Sequence, residues 1–158
     1  MTTGRDIARG LRQAYMLMHR QTQSLLSGYG FTAVQYVLLA LLKIEDGITQ
    51  QELTRRASSD PNTVRATLLL LERDGMVVRR SHKTDRRARR ILLTNKGRRT
   101  YSKLSAALKP LQDALISSFN AEEAATLVAN LNHIVETMSQ WEHRKKLECN
   151  SFEKCHRN

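Results

Sequence analysis

Apolar residues recur every three or four positions near the start of the chain, which is the spacing of one helix face. They are Ile7, Leu11, Ala14, Met18 and Leu25. The pattern stops at Ser27-Gly28-Tyr29-Gly30, where the glycines favour the end of a helix. The sequence therefore predicts a first helix that ends near residue 27.

A capping box predicts the second helix. Thr32 stands at the N-cap position, where its hydroxyl would accept a backbone hydrogen bond, and Gln35 follows three residues later. The apolar run of residues 37–42 covers every side of this helix, so we expect the helix to lie at the centre of the fold. Asp46 and Gly47 are expected to close it.

The third and fourth helices are short and follow each other closely. Thr49 is the expected N-cap of the third helix, with the Glu52 side chain reaching back to the Thr49 amide. Asp60 caps the fourth helix, Pro61 takes its first position, and Gly75 ends it. Together these signals predict a helix-turn-helix.

Two predicted strands, residues 76–78 and 91–94, enclose a basic run. Seven of the twelve residues from 79 to 90 are Lys or Arg, and one, Asp85, is acidic. Two short helices followed by such a hairpin are typical of a winged helix-turn-helix. The expected fold class is therefore mainly α with a small β-wing.

Two more helices are predicted after the wing. An apolar pattern that includes Pro110 continues to Leu115, and Asn120 caps a last helix with an apolar stripe up to Trp141. The stripes at both chain ends need a partner, and a twofold homodimer would supply one. The expected dimer contacts are Ile7, Leu11, Leu131, Ile134, Met138 and Trp141. The expected divisions are a helical dimerisation region (residues 1–30 and 100–145), a winged helix-turn-helix (31–99) and a disordered tail (146–158).

The formal net charge of the chain is +11. Residues 50–100 contain fourteen basic and five acidic side chains, a net charge of +9, so most of the charge lies in the predicted winged helix. This distribution favours a nucleic acid over a membrane as the partner. Neither a signal peptide nor a membrane-spanning run is evident, so we expect a cytoplasmic, nucleoid-associated protein.

One face of the fourth helix, with Val64, Leu68 and Leu71, is expected in the core. The opposite face is small and polar around one arginine, which suits a major groove where Asn can pair with adenine and Arg with guanine. An ordinary amphipathic surface helix is the alternative, and the capped helix before it and the hairpin after it disfavour that alternative. The expected DNA contacts of the two helices are Thr49, Gln50, Gln51, Pro61, Asn62, Thr63, Arg65, Ala66, Thr67 and Arg73.

The basic hairpin is expected to supply a second set of DNA contacts. Lys83, Arg86 and Arg87 would form its tip and reach a minor groove or phosphates, and Asp85 would brace the loop by pairing with a neighbouring arginine. The expected phosphate contacts on the strands are Arg79, Arg80, Arg89 and Arg90.

The order of these elements, residues 60–77, and the run Asp85-Arg86-Arg87-Ala88 followed by residues 91–97 resemble the MarR family of bacterial transcription regulators. The resemblance covers about residues 5–142. It implies an obligate dimer on a pseudo-palindromic double-stranded DNA operator and a recognition helix that begins at Pro61. It also implies a wing whose Arg86 or Arg87 enters the minor groove, and a small-molecule cavity between the dimerisation and DNA-binding parts.

Members of that family commonly respond to phenolic or aromatic carboxylic compounds. The resemblance thus implies a repressor released from its operator by a small aromatic acid, with Arg12, Tyr15 and His19 on one side of the first helix and Tyr36 on the second as candidate ligand contacts. In the alternative interpretation, Tyr15 and Tyr36 fill the core and His19 makes a structural hydrogen bond. A regulator without an effector is a further alternative.

The polar C-terminal tail contains Cys149 and Cys155. Their spacing does not match a zinc site, so a redox or metal response through them is a less favoured alternative, and no metal or cofactor is expected. No nucleophile-and-base, phosphate-loop or metalloprotease motif is evident, which argues against an enzyme. A winged-helix protein that binds RNA is a last alternative, although 5% aromatic residues leave few side chains for base stacking.

Overall fold

The computed structural model describes the backbone of residues 1–81 and 89–155, and their side chains except those of residues 81, 143 and 146–155. The chain divides into two compact units, Met1–Leu111 and Gln112–Asn158. The elements are α1 (Gly4–Ser27), α2 (Ala33–Ile44), β1 (Ile48–Thr49), α3 (Gln50–Ala57), α4 (Pro61–Arg73), β2 (Val77–Ser81), β3 (Arg89–Leu93), α5 (Asn95–Ile116) and α6 (Ala121–Cys155).

Side-chain caps start the helices where the sequence predicts them. The Thr32 hydroxyl accepts from the Gln35 amide and the Gln35 side chain accepts from the Thr32 amide, so the capping box of α2 is confirmed. Asn120 and Glu123 make the same reciprocal pair at the start of α6. Each pair satisfies two backbone amides that the helix itself leaves unbonded.

The N-terminus of α3 departs from the prediction. The Thr49 hydroxyl does accept from the Glu52 amide, at 3.2 Å, but the Glu52 carboxylate accepts from Arg55 and Arg56 instead of the Thr49 amide. Two guanidinium donors at the third and fourth positions after Glu52 offer stronger, charge-assisted hydrogen bonds than a neutral amide does.

Leucines dominate the core of the first unit. The predicted inner face of α4 is confirmed, because Val64, Leu68 and Leu71 are all fully buried. Each fully buried leucine contributes roughly 1.5–3 kcal/mol of hydrophobic free energy relative to an exposed one. The other fully or almost fully buried members are Leu26, Leu38, Leu39, Leu42, Leu53, Val77, Ile91 and Leu104.

The wing is part of a three-stranded antiparallel sheet in the order β1-β3-β2. The central strand β3 pairs Ile91 with Ile48 of β1 and with Arg79 of β2. Both wing strands extend beyond the predicted limits into the basic run, and β1 is not predicted at all. A strand of two residues carries too little alternation to be recognised in a sequence.

A close junction fixes the root of the wing. The Thr94 hydroxyl accepts from the Gly97 amide at 3.0 Å and lies 2.7 Å from the Gly75 carbonyl oxygen, to which it can donate. Lys96 Nζ donates to the Asp74 carbonyl at 2.7 Å. Residues 94–97 thus attach the start of α5 to the turn that ends α4, where Gly75 has a φ of +70°.

The second unit consists of the end of α5 and helix α6. Helix α6 continues to Cys155, so the backbone of residues 146–155 is helical, whereas the polar composition of this segment predicts a disordered tail. The segment from residue 121 to the C-terminus has neither Gly nor Pro, so no residue in it interrupts a helix that has already begun. Among the described residues, no helix is both long and apolar enough to cross a membrane.

Candidate nucleic-acid interface

Four residues lie on the side of α4 that faces away from the core: Asn62, Ala66, Leu69 and Arg73. We call this set the outer stripe. At 100° per residue its members lie opposite the buried face of the helix, and all four are exposed. Arg65 is exposed beside the stripe, as the sequence predicts.

The first turn of α4 presents polar groups to solvent. The Asp60 carboxylate accepts from the Asn62 amide at 2.9 Å and from the Thr63 amide at 3.0 Å, which fixes the start of the helix at Pro61. The side chains of Pro61, Asn62 and Thr63 are exposed. The exposed side chains of this end of the helix are therefore available for close approach to base edges, while the Asp60 carboxylate already occupies two of the amides that would otherwise bind a phosphate.

Thr67 is a correction. Its side chain is buried, with 8% of the residue exposed, and its hydroxyl donates to the Thr63 carbonyl at 2.8 Å. At its place on the helix it lies within about 60° of Val64, so it belongs to the inner face. We no longer expect Thr67 to contact DNA.

The start of α3 offers one exposed side chain from the three predicted contacts. Gln51 is exposed, whereas Thr49 and Gln50 are half-buried. The Thr49 hydroxyl is used as the cap of α3, and the Gln50 carbonyl accepts from the Thr54 hydroxyl at 2.9 Å. Gln51 is thus the residue of this turn that is best placed to contact a ligand.

Two arginines of α3 are held by carboxylates. Arg55 donates to Glu52 at 2.6 and 2.9 Å, and Arg56 bridges Glu52 and Glu45, with 2.8 Å to the latter. Hydrogen bonds from Arg55 and Arg56 lower the pKa of Glu52 to about 2. The network joins α3 to the end of α2 and leaves these two arginines less available to phosphates than their number suggests.

Arg79 is a second correction. Strand β2 places Val77 and Arg79 on the same side of the sheet, and Val77 is buried. The Arg79 side chain is 20% exposed, and its Nε lies 3.1 Å from the Glu72 carboxylate at the end of α4. The alternation of the strand therefore directs Arg79 to the core side, and we no longer expect it to contact a phosphate.

The opposite side of the wing is basic and exposed. Arg80 and Arg90 are direct cross-strand partners, and both are exposed. Thr49 lies beyond Arg90 on β1. Arg89, opposite Ser81, is exposed too, but the alternation of β3 places it on the same side as Ile91, beyond the buried part of the sheet. Because like charges directly across a sheet repel each other, the Arg80–Arg90 pair is most stable when an anion lies between the two side chains.

The predicted wing tip lies outside the described residues. This applies to Lys83, Arg86, Arg87 and the predicted brace Asp85. Their roles stay predictions. At the end of α4, exposed Arg73 donates to Asp74 at 2.9 Å, so the positive charge of Arg73 is partly compensated.

The four candidate ligand contacts occupy two different environments. Tyr15 stacks on His19 along α1, with 5.7 Å between ring centroids, and Tyr15 is 64% exposed. Arg12 and His19 are exposed too. Tyr36 instead packs against the core and stacks on Tyr101 at 5.8 Å. The alternative interpretation is that Tyr15 and Tyr36 both fill the core. Tyr36 does pack against the core, whereas Tyr15 is exposed.

A cleft of about 660 Å³ lies in the second unit, at the turn between α5 and α6. Its lining contains none of the predicted ligand contacts. The lining residues are Ser118, Phe119, Asn120, Glu122, Glu123, Thr126, Leu127 and Asn130. Within the described part of the chain, no group of three or more metal-ligating side chains comes together, and the Cys149 and Cys155 side chains lie outside that part.

Large apolar side chains are exposed along α1 and along α6. Among the predicted dimer contacts, Ile7, Met138 and Trp141 are each about half exposed, Leu131 is 38% exposed, and Leu11 and Ile134 are half-buried. Several large apolar side chains exposed on one helix are typical of a helix that packs against a protein partner.

Two capped helices, an exposed outer stripe on the second and a wing with an exposed arginine pair define a winged-helix DNA-binding regulator. The MarR family profile matches residues 31–88. The HTH-type transcriptional regulator TtmR of Methylorubrum extorquens is 31% identical over 137 residues, which are 82% of this chain and 69% of that protein. The chain belongs to the MarR family.

Solved structures show the same fold. A MarR transcriptional regulator from Methanosarcina mazei Go1 superposes with a TM-score of 0.75 at 23% identity, over 89% of this chain and 94% of that one. The PcaV transcriptional regulator of Streptomyces coelicolor, solved with its natural ligand, gives a TM-score of 0.66 at 24% identity, over 85% and 93% of the two chains. These structures confirm the predicted fold class. The family profile and the relative TtmR confirm the predicted family and the role as a DNA-binding transcription regulator.

Proposed function

We propose that this regulator is a homodimeric repressor that binds a pseudo-palindromic operator and leaves it when a small aromatic acid binds. The proposal is carried by two exposed surfaces, the outer stripe of α4 and the Arg80–Arg90 pair of the wing strands. The first surface suits base edges in a major groove, and the second suits phosphates.

The dimer is supported by the apolar side chains that α1 and α6 expose. Leaving residues such as Ile7, Met138 and Trp141 in water costs free energy that a second copy would recover. Residues 1–30 and 100–145 would then form the dimerisation region and residues 31–99 the DNA-binding region. Two copies related by a twofold axis would present two α4 helices to two half-sites about one helical turn apart.

The base contacts are assigned to the first two turns of α4. Asn62 would pair with an adenine and Arg65 with a guanine, while Pro61, Thr63 and Ala66 allow close approach. Gln51 would contact the sugar-phosphate backbone of the DNA beside the major groove. Phosphate contacts are assigned to Arg80, Arg89 and Arg90. Arg73 would contact a phosphate once its ion pair with Asp74 is broken. The wing tip with Lys83, Arg86 and Arg87, braced by Asp85, would reach the minor groove.

Replacing Arg65 by Ala tests the base contact. We expect a loss of about 1–3 kcal/mol on an operator selected from random duplexes, together with relaxed preference at one base step. Arg9→Ala, which removes an equal charge from α1, is the matched control and should leave affinity nearly unchanged. An equal loss on random duplex for Arg65→Ala would contradict a role in base recognition.

The effector proposal rests on Arg12, Tyr15 and His19, which lie on one exposed side of α1 and offer a cation and stacked rings to an aromatic acid. A ligand would weaken DNA binding if it binds more tightly to a dimer whose two α4 helices are not spaced to fit the two half-sites. The loss of DNA affinity is then set by the difference in ligand affinity between the two dimer conformations. PcaV, whose fold is similar, was solved with a natural ligand.

A thermal-shift series with benzoate, salicylate and 4-hydroxybenzoate tests the effector. A binding acid at one hundred times its Kd adds about 2.7 kcal/mol to the free energy of unfolding, and the same acid should release the operator. Arg12→Met should weaken both effects in the same proportion. If none of the acids raises the melting temperature, the regulator without an effector becomes the better hypothesis.

A further inference from the structure

Leu69 is an apolar residue on a surface where a polar one would be expected. It belongs to the outer stripe and is 51% exposed, whereas its neighbour Leu68 is fully buried. The core of α4 is already filled by Val64, Leu68 and Leu71, so Leu69 is not needed there. Its side chain is therefore free to contact a ligand that binds the outer side of the helix.

The position of Leu69 continues the base-contacting surface. Asn62, Ala66 and Leu69 follow one another on the stripe at intervals of four and three residues, so Asn62 and Leu69 are separated by about 10 Å along the helix axis. This length corresponds to roughly three base-pair steps, and the major groove is about 12 Å wide. Asn62 and Leu69 can therefore face the same stretch of the major groove.

The surroundings of Leu69 favour DNA as the occupant. Arg65 lies one turn before it, Arg73 lies one turn after it, and both are exposed. A protein partner on this patch would have to cover those charges, whereas DNA supplies base acceptors for Arg65 and phosphates for Arg73. The stripe is also continuous with the polar N-terminal turn of α4, which the proposed function assigns to base edges.

We infer that Leu69, together with Ala66, contacts thymine C5-methyl groups and thereby specifies A·T pairs in each operator half-site; this inference rests on the proposed function. An aliphatic side chain can neither donate nor accept a hydrogen bond. Thymine is the base whose major-groove edge carries an apolar group, its C5-methyl. Asn62 suits adenine in the same groove, so an A·T-rich segment satisfies both residues.

Replacement of thymine by deoxyuridine removes the methyl group alone and gives a direct test. The probe is an operator duplex selected from a random library, with each thymine replaced in turn. We expect wild-type protein to lose about four-fold in affinity at one or two positions of each half-site. Leu69→Ala should show a similar loss on the unmodified duplex and no further loss at the position that Leu69 contacts, whereas a position that Ala66 contacts should keep its deoxyuridine effect.

Leu70→Ala is the matched control, because Leu70 is exposed to 41% but lies about 100° around the helix from Leu69. This variant should keep the full deoxyuridine effect, and thermal unfolding should show that both variants fold. The inference would be overturned if the fold-loss in affinity from Leu69→Ala and the fold-loss from deoxyuridine multiplied at every position. It would also be overturned if the affinity of the wild-type protein did not change with any replacement. If wild-type protein selects no duplex, the proposed function itself fails, and the inference with it.

Discussion

At the scale of single residues, Gly97 shows why the sequence Leu-Thr-Asn-Lys-Gly follows the wing. Gly97 is buried under the turn that ends α4, and a Cβ added to it would lie 2.1 Å from the Met76 carbonyl oxygen. Thr94 and Lys96 hold the same turn through side-chain hydrogen bonds. Glycine is therefore required at position 97 because two backbone segments approach each other closely, and not because of its φ angle.

Gly97→Ala should destabilise the protein by about 1–3 kcal/mol, because either the α4–β2 turn or the start of α5 must move. Gly10→Ala is the matched control. Its added Cβ meets no atom within 4 Å, and alanine in a helix interior should add about 0.5–1 kcal/mol of stability. Urea unfolding measures both changes, and equal stability of the two variants would contradict the close junction.

Glu52 predicts how the α3 network depends on pH. Its pKa is lowered to about 2 by hydrogen bonds from Arg55 and Arg56, against an ordinary value of 4.5. A lowered carboxyl pKa means that the unfolded chain binds the proton first, so the stabilisation is complete above pH 4.5 and is lost as the pH falls towards 2.

We therefore expect the acid loss of stability between about pH 5 and about pH 2 to be smaller in Glu52→Gln than in wild type. Urea midpoints measured across that range give the comparison. Glu136→Gln, which removes an exposed carboxylate of α6, is the control and should follow the wild-type curve. Parallel curves for wild type and Glu52→Gln would show that the network contributes nothing to stability.

At the scale of elements, the helices were predictable and the wing register was not. Thr32, Thr49 and Asp60 are local signals, because each N-cap bonds to amides two or three residues away. Strand register depends on distant residues, and a shift by one residue exchanges the two faces of a strand. Sequence reasoning therefore groups Arg79 with Arg80, although the sheet places them on opposite sides.

The Arg80–Arg90 pair, which joins β2 and β3, predicts opposite effects of one substitution on stability and on DNA binding. Arg90→Gln should raise the free energy of unfolding by a few tenths of a kcal/mol, because it relieves repulsion with Arg80. It should also weaken binding to all duplexes and lower the slope of log affinity against log salt by about 0.9 for each phosphate that the variant no longer binds.

Denaturation and salt-dependent operator binding, measured on the same protein preparation, test this prediction. Arg9→Gln removes an equal charge from α1 and should leave the salt slope unchanged. A wild-type salt slope in Arg90→Gln would show that the Arg80–Arg90 pair does not contact phosphates.

At the scale of the whole molecule, the periodicity of a single chain indicates which faces are apolar but not what covers them. The half-exposed residues of α6 illustrate this limit, since Ile134 is half-buried while Met138 on the same stripe is 55% exposed. The sequence also underestimates the extent of α6, because its polar composition suggests disorder although no residue in it breaks a helix.

Met138→Glu tests whether a second copy covers the α6 stripe. Burying an unpaired carboxylate in an apolar interface costs several kcal/mol, so we expect the variant to be a monomer in analytical ultracentrifugation at micromolar concentration. Asn132→Glu, on the opposite side of α6, is the charge-matched control and should stay dimeric. Because two half-sites must be bound at once, the monomer should also lose most of its operator affinity while it keeps the wild-type helix content by circular dichroism. A Met138→Glu variant that stays dimeric would place the dimer contact elsewhere.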